Sequence, residues 1–138
     1  MNGELAFIDT NVLLAATDRG RPDHEIARSL FSAAIRAGVH LAVSGQVLRE
    51  YLVVATRPPE ANGFGLSPDD ALHNVGTFRA RTVLVEELEA VMDELFRLLP
   101  SAGISDKRIH DANIAATMRA HHITTLVTAN VGDFRMFQ

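Results

Sequence analysis

Cysteine is absent from the 138 residues, which removes disulfides, thiolate metal sites and thiol nucleophiles from consideration. Any metal must therefore be held by oxygen or imidazole ligands. The N-terminal Met1-Asn2-Gly3-Glu4 has no basic n-region, and no apolar run approaches the roughly 20 residues that span a bilayer. No membrane association is expected, and a cytoplasmic protein is the natural reading. Lysine occurs once, as Lys107, beside twelve arginines; against 17 acids the formal net charge is −4, so no bulk positive field advertises nucleic-acid binding. The sum can mislead, because four clustered acids neutralised by metal would leave the remaining charges balanced and the arginines free to form a local phosphate-binding rim. Gly-x-Gly-x-x-Gly after a strand and a Walker lysine are both missing, so nucleotide-cofactor readings lack their fingerprint.

Hydrophobic residues make up 47% of the chain and charged residues 22%, enough to bury a core. At about 150 residues per domain, residues 1–138 form one domain, with no repeat or low-complexity tract. Leu5-Ala6-Phe7-Ile8 reads as a buried strand, and Asp9-Thr10-Asn11 offers capping side chains to a helix from near Val12. A helix from Pro22 to Ala37 is predicted from Ile26, Leu30, Phe31, Ala34 and Ile35, with Gly38 after its end. Leu41-Ala42-Val43 is a second strand, followed by a helix from Gln46 to Thr56. Arg57-Pro58-Pro59 through Gly65 is a surface loop, and Ser67-Pro68 opens a helix toward Arg79. Thr82 to Val85 is a third strand, and Glu86 to Leu99 a helix that ends before Pro100, its acids on the wet face. Ser105-Asp106 caps a last helix to His121, and Thr124 to Thr128 is a fourth strand. This alternation predicts an α/β, three-layer architecture with a short, mostly parallel central sheet flanked by helices.

Open parallel sheets place ligands beyond the carboxyl ends of their strands. Asp9 leaves the first strand there, and it suits both an N-cap and a ligand. Glu50 borders the apolar stripe of its helix, where a surface carboxylate near Arg49 is the simpler alternative. Asp111 shares a helix side with Ile114 and Ala115, so it needs a partner, a cation or an arginine. Thr128-Ala129-Asn130-Val131-Gly132-Asp133 adds a hydroxyl, an amide and an acid, although turns favour such residues anyway. Convergence of these groups at one sheet edge would create mutual repulsion that a divalent cation relieves. Hard oxygen ligands suit Mg²⁺ or Mn²⁺, which can activate water for attack on a phosphodiester. His121-His122 is read as a helix C-terminus, and His110 as a neighbour of Asp111.

Phe7-Ile8-Asp9-Thr10-Asn11-Val12-Leu13-Leu14, Glu50, His110-Asp111-Ala112-Asn113-Ile114-Ala115-Ala116 and Thr128-Ala129-Asn130-Val131-Gly132-Asp133-Phe134 together resemble a PIN domain. More narrowly they resemble the VapC-type ribonuclease toxins of bacterial toxin–antitoxin pairs. The resemblance implies an endoribonuclease dependent on Mg²⁺ or Mn²⁺. It also implies Asp9, Asp111 and Glu50 as metal ligands, Asp133 as a further catalytic acid, and Thr10, Asn11, Thr128 and Asn130 as supporting or substrate-binding residues. Asn130 stands where many members carry a fourth carboxylate, so the count of metal ions is open. Many members continue with one more strand beyond the position of Gln138, so either the chain is trimmed there or that sheet edge is open. The implied partners are RNA, a cognate antitoxin and a second copy in a homodimer or larger toxin–antitoxin assembly. Two alternatives share the layout: a PIN-like scaffold that only binds RNA or a partner, and a Mg²⁺-dependent phosphoacceptor domain, which needs a lysine after a late strand and finds Lys107 before a helix instead. For phosphate contact the candidates are Arg49, Arg57, Arg79, Arg81 and Arg108.

Overall fold

A computed structural model describes residues 3–129 together with Gly132, Phe134 and Phe137. The chain alternates as read from its pattern: β1 (Glu4–Ile8), α1 (Thr10–Thr17), α2 (His24–Ala37), β2 (Val39–Ser44), α3 (Gly45–Thr56), a short 3₁₀ turn at Pro59–Ala61, α4 (Pro68–Ala80), β3 (Val83–Val85), α5 (Glu89–Ala102), α6 (Arg108–Ala120) and β4 (Thr125–Val127). All pairings are parallel, in the order β3-β2-β1-β4. The first crossovers step outward in one direction, from β1 to β2 to β3. The passage through α5 and α6 then returns β4 to the opposite side of β1. The order therefore reverses at β1, and the crevice beyond the carboxyl ends of β1 and β4 is where such a sheet admits a ligand.

The core explains which periodic positions matter. Phe7, Ile8, Leu13, Val43, Val47 and Tyr51 are fully buried between the sheet and its helices, and a second cluster of Val91, Leu98, Ala115 and Ala116 joins α5 to α6. In α2 the face is narrower than the sequence spacing implied. Ala27, Phe31 and Ala34 are buried and Leu30 packs partly against them, whereas Ile26 and Ile35 are 75% and 77% exposed. One helix face can meet the sheet, and those two isoleucines fall beside it.

The ends of several elements also differ from the sequence reading. Thr10 is already helical, with the Asp9 side chain capping from the preceding position. Helix α5 begins three residues later than expected and runs through Pro100 to Ala102. A proline in the last turn removes one N–H but leaves the rest of the ladder closed. Helix α6 begins at Arg108 without the side-chain cap expected from Ser105-Asp106, because the cap position falls to Lys107, whose side chain has no acceptor; Asp106, one residue earlier, takes a left-handed backbone (φ 61°). The loop after α3 folds back on that helix through Phe64 N–H to Val54 O and Leu66 N–H to Ala55 O. Gly63 is required there, since a Cβ would lie 2.0 Å from the carbonyl oxygen of Arg57. Asn130 and Asp133 lie outside the described residues.

Beneath the crevice, the Tyr51 hydroxyl meets Thr17 Oγ at 2.8 Å and accepts from Asn74 Nδ2 at 3.1 Å, while its ring meets Phe78 edge to face. Tyr51→Phe keeps the ring contact, removes the acceptor of Asn74 Nδ2, and leaves Thr17 with only its bond to Leu13 O at 3.0 Å. It is expected to cost about 1–2 kcal/mol in urea unfolding, and an unchanged midpoint would mean that water replaces the hydroxyl.

Candidate active site

The carboxyl end of β1 delivers Asp9 into the crevice with 5% exposure. Its Oδ1 accepts from Thr10 N–H at 2.7 Å and its Oδ2 from Thr128 Oγ at 2.9 Å. Donors thus meet both oxygens and offset the desolvation of a buried charge. The Asp9 backbone N–H also bonds to Val127 O at 3.0 Å, fixing the residue against β4. Capping and a place in the crevice coexist in one side chain.

Thr10, itself buried, passes the connection onward: its hydroxyl donates to Glu50 Oε1 at 2.8 Å. Glu50 is half-buried on α3, and its second oxygen accepts from Gln46 Nε2 at 3.3 Å. The simpler alternative for Glu50, a surface carboxylate near Arg49, does not describe it: the side chain is half-buried and bonded to Thr10 and Gln46. Arg49 reaches Glu87 instead, at 3.8 Å. Asp111, half-buried in the first turn of α6, lines the same cavity of about 570 Å³ as Asp9, Glu50 and Asn11. Thr128 does not line that cavity and reaches it through its bond to Asp9.

Arg49, Arg57 and Lys107 line the cavity too, so acids and bases share one opening. Arg79, Arg81 and Arg108 do not line it; Arg81 lies over the Phe31 ring instead. Lys107, set aside in the sequence because it follows no strand, reaches the cavity as the residue preceding α6. His110 is on the wall, with its carbonyl oxygen bonded to Gln46 Nε2 at 2.8 Å. His121 sits elsewhere, its Nε2 2.6 Å from the carbonyl oxygen of Glu86. Gln46 and Asn113 were not singled out in the sequence. Gln46 stands one helical turn before Glu50, the only sequence signal that could have found it.

Among the described residues, no three Asp, Glu or His side chains converge closely enough to form a ready metal shell. The donor chemistry nevertheless fits a hard divalent cation: three carboxylates and no thiolate line one open cavity. Mg²⁺ in particular keeps several waters and asks the protein for only one or two carboxylates.

A parallel α/β sheet with acids gathered at its reversal point defines a class of proteins that work on ligands at the strand ends. Within that class the chain belongs to the PIN domain family, whose model matches residues 6–135. It is 36% identical over 133 residues to Ribonuclease VapC24 of Mycobacterium tuberculosis, covering 94% of this chain and 89% of that one. Among solved structures, its fold is similar to VapBC2 from Rickettsia felis bound to a promoter DNA fragment (TM-score 0.69, 18% identity, 96% and 92% coverage). It is also similar to M. tuberculosis VapC20, described as a sarcin–ricin loop cleaving toxin (TM-score 0.66, 16% identity, 88% and 86% coverage).

The Thr10 hydroxyl is the direct link between Asp9's neighbourhood and Glu50. Thr10→Val is expected to cost about 1 kcal/mol in urea unfolding, and Thr10→Ser to restore most of it. A loss in Thr10→Ser with Thr10→Val unchanged would show that the methyl group, not the hydroxyl, matters.

Proposed function

We propose that this protein is a ribonuclease of the toxin type, hydrolysing RNA phosphodiester bonds with a divalent cation, Mg²⁺ or Mn²⁺. The observation that carries this is the placing of Asp9, Glu50 and Asp111 on one cavity wall with Arg49, Arg57 and Lys107 around it. The acids provide oxygen ligands, and the basic side chains suit a polyanion. Kinship with a ribonuclease over nearly the whole chain supports the same reading.

Asp9, Glu50 and Asp111 would hold the cation. When bound, it supplies charge neutralisation at the phosphoryl oxygens and a more acidic water. Arg57 and Arg49 can meet phosphate oxygens bidentately, while Lys107 acts as a point charge. Thr10 and Thr128 keep Glu50 and Asp9 aimed while substrate enters. Asp133 is proposed as a further acid, with Asn11 and Asn130 as supporting groups. The cut breaks one P–O bond, with the water oxygen joining phosphorus and a proton passing to the leaving oxygen. The proposed partners are RNA, a cognate antitoxin and a second copy of the chain. No helix among the described residues is long and apolar enough to cross a membrane.

Incubating the purified protein with total RNA and Mg²⁺ or Mn²⁺ and mapping new ends by sequencing tests the activity. Discrete cuts that disappear with EDTA and with Asp111→Asn are expected. Cuts that persist in both controls would refute the assignment, and cation binding without cuts would favour the scaffold alternative.

Thermal unfolding tests the ligands separately. A cation at about 100 times its Kd adds roughly 2.7 kcal/mol, on the order of 10 °C for a domain of this size. Asn caps helices as well as Asp does, so Asp9→Asn should fold and lose this shift. The same shift in both proteins would remove Asp9 from the ligand set.

A further inference from the structure

Gln46 occupies the first turn of α3, one turn before Glu50, and its side chain is 5% exposed. Its Nε2 donates to Glu50 Oε2 at 3.3 Å and to the carbonyl oxygen of His110 at 2.8 Å. Its Oε1 accepts from Asn113 Nδ2 at 2.7 Å. The polarity follows from the partners. A carboxylate and a carbonyl can only accept, so the amide nitrogen must face them and the oxygen must face Asn113. Asn113 Nδ2 then also reaches Glu87 Oε2 at 3.3 Å, while Glu87 Oε1 accepts from the backbone N–H of Gln46 at 3.1 Å. One buried amide thus uses two donors and one acceptor at once. Among ordinary side chains only Gln and Asn carry that set.

Two of its three contacts join the candidate ligands. Glu50 is bonded directly, and His110 immediately precedes Asp111 on α6. Helices α3 and α6 do not form one of the extensively packed element pairs of the described structure, so side-chain cross-links matter more to their spacing than broad packing does. Resting on the metal-dependent nuclease reading above, we propose that Gln46 is a positioning residue: its amide fixes Glu50 and the first turn of α6 relative to each other, and so sets the separation at which Glu50 and Asp111 receive a cation. Asn113 and Glu87 hold the amide in turn. An apolar residue of equal length would leave the His110 carbonyl and Asn113 without this partner and Glu50 free to swing on Thr10. A glutamate would set a second carboxylate against Glu50 with no donor to offer.

The test measures Mn²⁺ binding by electron paramagnetic resonance of free Mn²⁺, using the full chain as wild type, Gln46→Met and Asn113→Ala. Outer groups that orient ligands typically contribute about 10–100-fold to metal affinity or activity. Gln46→Met is expected to weaken Mn²⁺ binding by that factor and slow RNA cleavage at fixed Mn²⁺. The KM for RNA should stay within about twofold, and added Mn²⁺ should recover the rate. Asn113→Ala leaves both donors in place and should lose about tenfold, the lower end of that range; it decides the question if Gln46→Met does not fold. Mn²⁺ affinity equal to wild type in the folded variants overturns the proposal. If wild type neither binds Mn²⁺ nor cleaves, the nuclease reading fails by itself, and nuclear magnetic resonance then decides the tether. Slowly exchanging Gln46 side-chain amide protons that shift in Glu50→Ala uphold it, and rapidly exchanging protons insensitive to that change overturn it.

Discussion

Everything at the strand ends depends on the burial of one carboxylate. Asp9 follows three residues of β1 that are almost fully enclosed, Ala6, Phe7 and Ile8, so its charge leaves water unless donors replace it. Three separate requirements meet there. The first turn of α1 needs an acceptor for an orphan N–H, β4 needs an anchor beside β1, and the charge needs compensation. Thr10 N–H and Thr128 Oγ satisfy the carboxylate, and the Asp9 N–H satisfies Val127 O. The same group therefore closes the sheet and opens the crevice.

That arrangement gives the cavity its polarity. Because Thr128 holds one Asp9 oxygen and Thr10 N–H the other, the cavity receives an aimed carboxylate instead of a mobile one. Thr10 then hands the order to Glu50, and Gln46 carries it to the backbone of α6 beside Asp111. Preorganisation of this kind lowers what must be reorganised when a charged ligand arrives. The basic residues lie on different supports: Arg49 on the exposed face of α3, Arg57 at its C-terminal cap and Lys107 before α6. They line one cavity together with the acids, and the ion pair found for Arg49 is with Glu87.

The strand–helix rhythm was legible because period and length agree with each other: short apolar or β-branched runs cannot be helices of useful length, and α3 carries Val47, Leu48 and Tyr51 on one side. The candidate acids were legible because a carboxylate directly after a buried strand or on an apolar helix side is costly, and Asp9 and Asp111 both answer to that rule. The direction of pairing for Glu50 was not legible. A neighbour in sequence, Arg49, points about 100° away on a helix, and the true partner, Thr10, lies 40 residues upstream on an element that only the parallel sheet brings close. Ile26 and Ile35 misled for a related reason, since spacing reports a stripe but not how wide a strip of helix the sheet can cover.

Gln46 shows where sequence reasoning stops in principle. A glutamine on a helix is unremarkable as a residue type, and its surroundings in the chain, Gly45 and Val47, give no hint of a polar partner. Its meaning comes from His110 and Asn113, 64 and 67 positions away. A buried primary amide with every hydrogen-bonding group engaged is also intolerant of error: displacement by an ångström breaks three bonds whose groups cannot all recover water. The cost of misplacing it therefore falls on both helices together. A cavity lined by separately supported carboxylates has in this amide a single element sensitive to the spacing between them, so changes to the outer residues Asn113 and Glu87 act on the acids through Gln46.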